Sequence, residues 1–323
     1  MSNFALRTLR GLGVFSLTRV LSASMPRILM YHDFCGPNEA DDDAINVEDL
    51  RRQFAYLRRN FRVVSLRQLA DELRSGASLQ KHTVALTIDD GRRNCYEFLF
   101  PLLKEFELPA TFFVVSAFIQ GEDWIWTDKV VWLSRQANGP EAIMPDSLPA
   151  VFGALNRMRP ESRNAWIENT AQSMGVSVPK TPPSRFAPCS WGELREMADS
   201  GLIEIGSHTV THPILSSISD EESWAELINS RAQISAGIGR PVNCFCFPNG
   251  KANDYRSSQV KQIQEAGYIC AVIAEFGLVQ ASTDPYLLPR MGMTRKRTQE
   301  QISKYLEGFA YYQERFQSGR GEA

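Results

Sequence analysis

The chain has 323 residues, 43% of them apolar and 22% charged, and a formal net charge of −2. That composition belongs to a globular protein with a large core and argues against a disordered chain. With no basic stripe to neutralise phosphates, it gives no support to a nucleic-acid partner.

Residues 1–26 mix apolar side chains with Arg7, Arg10 and Arg19. The apolar run 11–17 is too short to cross a bilayer, and Arg19 interrupts the core that a secretory signal needs. The segment therefore predicts a basic amphipathic helix, packed on the domain or resting peripherally on an anionic membrane face. Six scattered cysteines without a C-x-x-C pair read as buried, reduced thiols. Together these place the chain in the cytoplasm or on the cytoplasmic face of the membrane, with secretion the weaker expectation.

From residue 27 onward, short β-rich runs alternate with longer helical patterns. Strands are predicted at 27–31, 83–88, 110–115, 203–206, 244–247 and 268–273. Helices are predicted at 48–60, 66–74, 95–106, 191–200, 220–237 and 255–266. The alternation defines an α/β chain with βα units around a parallel sheet, and a barrel of this length forms one domain. Residues 27–323 are assigned to that domain.

The stretch 121–188 breaks the rhythm with eight prolines and helical patches near 129–136 and 162–174. It reads either as an insertion on a βα loop that shapes substrate access or as a surface excursion. Trp124, Trp126 and Trp132 in it could stack on sugar rings or simply pack. Arg295-Lys296-Arg297 reads as a solvated face, and 299–316 as a cover helix.

Two clusters carry chemistry. The apolar run 84–88 ends in Asp89-Asp90-Gly91, and Gly91 permits the bend that two adjacent acids need to share one site. Far downstream, His208-Thr209-Val210-Thr211-His212-Pro213 supplies two of the chain's four histidines. This is not the helical zinc-protease motif, because Thr209 stands where that motif has glutamate. One carboxylate and two imidazoles make a divalent-metal site, and the second carboxylate is left free as a general base.

These residues resemble the first two motifs of the polysaccharide deacetylases, the NodB-homology group or carbohydrate esterase family four. Phe245-Cys246-Phe247-Pro248-Asn249-Gly250 resembles the third. The resemblance implies an irregular (β/α)7-type barrel with a helical insertion. It implies Asp89 as catalytic base, and Asp90, His208 and His212 as metal ligands. It also implies an oxyanion contact from the backbone N–H of Asn249.

Two family features are displaced. The third-motif arginine that contacts the catalytic aspartate is replaced by Cys246, and no histidine follows His212 to serve as general acid. Poly-N-acetylglucosamine deacetylases, with an early Tyr-His and a late Leu-Pro-Arg, offer the replacements. Tyr31-His32 and Leu288-Pro289-Arg290 fit that pattern, giving His32 as acid and Arg290 as the partner that keeps Asp89 ionised. His82 reads as uninvolved.

The implied activity is metal-dependent hydrolysis of the acetamido group of an N-acetylated sugar or polysaccharide. Zn²⁺ suits the ligand set best, and Co²⁺ or Ni²⁺ also fit it. Two alternatives stay open at this point. One is a deformylase or deacetylase of a lipid- or nucleotide-linked sugar; the other is a non-catalytic carbohydrate-binding relative.

Overall fold

A computed structural model of the chain describes residues 3–39, 44–76, 78–136, 147–295 and 299–318. Its strands are β1 Arg27–Tyr31, β2 Phe34–Cys35, β3 Ile45–Asn46, β4 Arg62–Val64 and β5 Thr83–Ile88, followed by β6 Ala110–Val114 and β7 Ile203–Ser207. The last three are β8 Cys244–Cys246, β9 Cys270–Val272 and β10 Met291–Gly292.

One parallel sheet runs in the order β10-β1-β5-β6-β7-β8-β9. The short strand β4 pairs with the first half of β5, and β6 pairs with its last two residues. Near the chain's end, Leu288 bridges Val272 of β9 while Met291 pairs with Leu29 of β1. That segment joins the two ends of the curled sheet, giving the irregular seven-strand βα barrel expected from the sequence.

Alternation along the strands sorts side chains between the barrel axis and the surrounding helices. Leu29, Tyr31, Val84, Leu86, Ile88, Ile203 and Ile205 belong to the larger apolar cluster, shared with the helices. Ile28, Ala85, Phe113, Cys244, Cys246, Cys270 and Val272 belong to a second cluster that fills the barrel. Helix Leu66–Arg74 contributes Leu66, Leu69, Ala70 and Leu73 to the same inner cluster. All six cysteines are buried free thiols, so the inner ones act as small apolar fillers.

Several elements depart from expectation. The predicted helix 95–106 opens with one π-helical turn, Cys95–Leu99, before Phe100–Glu105. The N-terminal segment is two helices, Asn3–Gly11 and Val14–Leu21. The cover helix is likewise two, Gln299–Leu306 and Phe309–Ser318. Phe15 meets Phe309 at 5.2 Å between ring centroids, so the terminal helices pack on one another.

These helices lie at the N-terminal ends of the strands, where Arg19 donates to the Asn60 carbonyl and Ala23 accepts from the His82 N–H. Their outer face leaves Phe4, Leu12, Leu17, Val20, Leu21 and Phe316 exposed. No helix among the described residues is long and apolar enough to cross a membrane. Lys296 and Arg297 lie outside the described residues, as do residues 137–146 of the insertion.

Candidate active site

The inward parity of β5 carries Thr87 and then Asp89 to the barrel axis. Arg290, just before β10, meets Asp89 there in a two-pronged pair: Nη1 to Oδ1 at 2.7 Å and Nη2 to Oδ2 at 2.8 Å. The same guanidinium donates to Thr87 Oγ1 at 3.2 Å and to the Ile273 carbonyl at 3.0 Å. Its Nη2 also lies 3.1 Å from Cys246 Sγ. Arg290 is 2% exposed, so this is a fully desolvated pair.

Burial is the largest influence and raises the Asp89 pKa, but the charge and hydrogen bonds of Arg290 together with the nearby His32 and His208 outweigh it and hold the carboxyl well below the usual range. Cys246 therefore sits beside the arginine without supplying a charge. Its thiol is pushed well up, chiefly by burial, and faces Asp89 Oδ2 at 3.5 Å.

Strict alternation would turn Asp90 away from the axis. Instead Asp90 takes φ +78° and Gly91 φ +91°, two consecutive left-handed residues that swing the chain back. Its φ makes any side chain at Gly91 strained, and a Cβ there would also crowd Ile119 Cδ1 at 3.0 Å.

After this bend Asp90 Oδ1 lies 3.7 Å from His208 Nε2 and 3.9 Å from His212 Nε2. The two imidazole nitrogens are 3.2 Å apart. His208 Nδ1 pairs with the Cys246 carbonyl at 2.8 Å, which fixes Nδ1 as the protonated nitrogen and turns the Nε2 lone pair toward Asp90. Burial pulls both histidines below their ordinary pKa, that of His212 to about 3.

The loop between these histidines is tied down from outside. Glu226, on helix Asp220–Ile238, accepts from the backbone N–H groups of Val210 and Thr211 at 2.7 and 3.0 Å. His212 itself takes φ +58°. Strained backbone at Asp90 and His212 is thus held by surrounding structure, as at many functional sites.

The other oxygen of Asp90 has its own partner. Arg92 Nη2 lies 3.0 Å from Asp90 Oδ2 and 2.5 Å from Asp128 Oδ1, and Nε reaches Asp128 Oδ2 at 3.1 Å. Asp33, 3.8 Å from Arg92, pairs in turn with Arg185 at 2.7 Å. Asp128 and Arg185 both come from the stretch 121–188, so the insertion is fastened by charge to the back of a candidate metal ligand. Burial pushes the Asp128 carboxyl up to about 6 against the opposing pull of Arg92.

His32 and Asn249 complete the set. His32 Nε2 lies 3.7 Å from Asp89 Oδ2 with its side chain 43% exposed to the cavity mouth. Asn249 has φ +57° and is anchored by its amide to Asp254 Oδ2 at 2.5 Å. A Cβ on Gly250 next to it would come within 2.9 Å of the Ala274 nitrogen, so the third motif closes on a glycine.

All seven residues singled out from the sequence line one cavity of about 390 Å³ at the C-terminal ends of the strands. Trp126, Phe152 and Asn156 of the insertion form its far wall. Trp126 also donates through Nε1 to the His212 carbonyl at 3.1 Å. Trp124, 3% exposed, instead packs edge-on against Trp132 at 6.2 Å. Sequence reading missed Arg92, Asp128, Glu226, Phe152 and Asn156; only Arg92, two residues after a ligand, carried a local signal.

Asp90, His208 and His212 bring one ligand atom each within 4.8 Å of one another, the pattern of a metal site. Asp89, His208 and Cys246 also meet that distance, but Arg290 occupies both Asp89 oxygens and the thiol is neutral. The first group is the one chemically free to bind. The strand ends thus hold one carboxylate clamped by Arg290 and a second, Asp90, whose Oδ1 faces two neutral imidazoles, a donor set that could hold a metal ion.

The family model for polysaccharide deacetylase matches residues 76–269, and the chain belongs to that family. Among curated relatives, the poly-beta-1,6-N-acetyl-D-glucosamine N-deacetylase of Escherichia coli strain K12 is 36% identical over 77 residues. That match covers 24% of this chain and only 12% of the relative's length. Among solved structures, the deacetylase PplD of Streptococcus pyogenes, in complex with acetate, aligns with a TM-score of 0.61 at 17% identity, covering 88% of this chain and 99% of that one. IcaB from Ammonifex degensii aligns with a TM-score of 0.60 at 19% identity, covering 88% and 97%. At such identities the structural likeness establishes the fold.

Proposed function

We propose that this chain is a divalent-metal-dependent N-deacetylase of N-acetylated polysaccharide, with poly-N-acetylglucosamine its first candidate substrate. One observation carries the reading: two adjacent aspartates are driven into different roles by their surroundings. Both oxygens of Asp89 are clamped by Arg290, whereas Asp90 turns one oxygen to Arg92 and the other to two imidazole nitrogens. Family membership and the named activity of the curated relative support the same substrate class.

The donor set fits a metal. In a tetrahedral site with bonds of 2.0–2.1 Å, ligand atoms stand roughly 3.4 Å apart. The three separations here are 3.2, 3.7 and 3.9 Å. At that range the two Nε2 atoms share either a proton or a cation, and a ligand cation displaces the proton. A divalent ion held by Asp90, His208 and His212 supplies Lewis acidity toward an amide carbonyl and toward water. Zn²⁺ is the first candidate, with Co²⁺ and Ni²⁺ compatible with the same donors.

Asp89 takes the proton from water as its oxygen adds to the acetyl carbon. Arg290 keeps Asp89 ionised and in one orientation, so no reorganisation is needed at that moment. The backbone N–H of Asn249, which lines the same cavity, donates to the oxyanion that forms. His32, whose Nε2 lies 3.7 Å from Asp89 Oδ2 and whose side chain opens to the cavity mouth, gives a proton to the departing sugar nitrogen as the carbon–nitrogen bond breaks. Acetate and a free amine result.

The test is to strip metal with a chelator, restore single divalent ions, and measure acetate released from a β-1,6-linked N-acetylglucosamine oligomer. Release restored by one or more ions is the expected outcome. Glycan binding without release under any ion marks a non-catalytic relative. Turnover confined to formylated or lipid-linked sugars replaces the proposed substrate. The exposed apolar face of the terminal helices lies at the barrel end opposite the cavity, which favours a polymer over a bilayer-embedded substrate. His32→Ala should lower turnover with bound metal unchanged; loss of metal would remove His32 from the acid role.

A further inference from the structure

Four arginines are buried among the described residues, and three have their acceptors. Arg290 binds Asp89, Arg92 lies among three aspartates, and Arg27 donates to the carbonyls of Ser22, Met25 and Leu306. Arg163 does not follow them. It is 2% exposed, yet its Nε and Nη1 are buried without a hydrogen-bond partner, and no carboxylate pairs with it among the described residues. The acid that acts on it most, Glu161, is already paired with Arg159 at 3.4 Å. The guanidinium rests 4.2 Å from the centroid of the Trp126 ring, and that stacking recovers only part of what desolvation costs.

Arg163 lines a cavity of about 240 Å³ together with Asn164, Trp124, Trp126, Val210 and Thr211; the carboxylate on its wall, Asp123, is taken up by Lys129 at 2.7 Å and by the Trp124 N–H at 2.8 Å. This space is separate from the catalytic cavity; Trp126 is the one residue that lines both. Pro160 also lines it, at the start of the 14-residue helix Pro160–Ser173. The first N–H groups of a helix lack partners within it and carry partial positive charge. A buried guanidinium with unused donors and a helix start therefore border the same space.

We infer that this cavity is a binding site for a small oxyanion, a carboxylate or a phosphate, with the Arg163 guanidinium as its main contact. Such a group brings two or three acceptor oxygens to donors that otherwise have none, and the charge-assisted bonds are strong in a dry setting. The volume admits an acetate- or phosphate-sized ligand, or one acidic substituent of a longer glycan, and not a sugar ring pair. Trp126 stacks on Arg163 and donates to the His212 carbonyl, so an occupant bears on the loop that holds His212. The inference is independent of the deacetylase reading, since it concerns anion binding and not turnover.

The experiment titrates the full chain with acetate, with inorganic phosphate and with a uronic-acid oligomer, in chloride at constant ionic strength. Binding is followed by calorimetry and by thermal shift, in metal-loaded and chelator-treated protein. Expected is one saturable site that survives chelation, with Kd weakened about tenfold or more in Arg163→Met. Arg163→Met should also raise the Tm of the ligand-free protein, because it removes an uncompensated buried cation. A site that vanishes on chelation and persists in Arg163→Met is capture by the catalytic cavity and overturns the inference; so does the absence of saturable binding. Should Arg163→Met fail to fold, Asn164→Asp places a competing carboxylate at the cavity and must abolish the anion response. Preference for acetate, phosphate or the acidic oligomer separates the sources.

Discussion

The candidate active-site cavity has two walls, each held by a buried arginine that grips one member of the Asp89-Asp90 pair. On the barrel wall, Arg290 serves a single acid and turns its remaining donors to Thr87, the Ile273 carbonyl and Cys246 Sγ. On the insertion wall, Arg92 is shared among Asp90, Asp128 and Asp33, with Arg185 behind Asp33. The first arrangement is closed within strand ends. The second ties a candidate metal ligand to Asp128 and, through Asp33, to Arg185, so described residues of 121–188 brace the cavity and line one side of it.

The sharpest break of this comparison is Arg290→Met. It leaves Asp89 buried without a counter-ion, a change that costs about 3–5 kcal/mol in comparable sites. Chemical denaturation should show that loss together with loss of acetate release. Adding Asp89→Leu to Arg290→Met should recover much of the stability and none of the activity. If the single variant is as stable as the parent, the barrel-wall pair does not hold the fold as its geometry requires.

Asp89→Asn keeps a hydrogen-bonding side chain against Arg290 but leaves its charge unmatched, so bound metal, measured in the fraction that folds, is the control for chemistry. Removing a general base should cut turnover roughly 10²–10⁴-fold. Metal content should stay at the parent level, because Asp89 lies outside the ligand set; depletion of metal would reassign the two acids.

The Asp89-Asp90 and His208–His212 clusters were legible in the sequence for a physical reason, whereas Arg290, His32 and Asn249 were reached only through resemblance to a family. Strand alternation places Met30, Thr87, Asp89, Gly206 and His208 on one face, and the motifs sit at strand ends, where parallel barrels present their ligands. The insertion wall was not. Asp128 stands 36 residues after Arg92, and nothing periodic connects them. Helix Leu148–Leu155, which carries Phe152, went unread because its flanks are proline-rich. The left-handed turn at Asp90 was foreseen only as a bend at Gly91, because aspartate does not by itself announce a positive φ.

The insertion wall is tested by Asp128→Asn. Without that carboxylate the Arg92 charge falls more fully on Asp90 and opposes a cation there. Metal affinity should drop roughly 10–100-fold, the range seen when groups behind a ligand are altered. Competition against a chromogenic chelator measures it without reference to turnover. Unchanged affinity would reduce the insertion's charges to a packing role. A smaller effect is expected from Phe152→Ala and Asn156→Ala, which should raise KM for an oligomer severalfold while kcat and bound metal hold.

The smallest effect lies at the other end of the barrel and asks whether matching of buried acids is special to the cavity. Glu204 points into the barrel from β7 with its Oε2 buried and unpartnered. Burial pushes its carboxyl up, opposed only in part by Cys244, Arg67 and Asn243. A carboxyl whose folded pKa lies above its unfolded value costs nothing while both states are protonated. That cost grows as pH rises from the unfolded value to the folded one and is complete above both. Glu204→Gln should therefore raise Tm at pH 7, with the gain shrinking on acidification and gone below about pH 4. A gain of equal size at every pH would mean that shape, not charge, sets the stability at that position. Then the contrast between matched acids at the cavity and an unmatched acid opposite would lose its energetic basis.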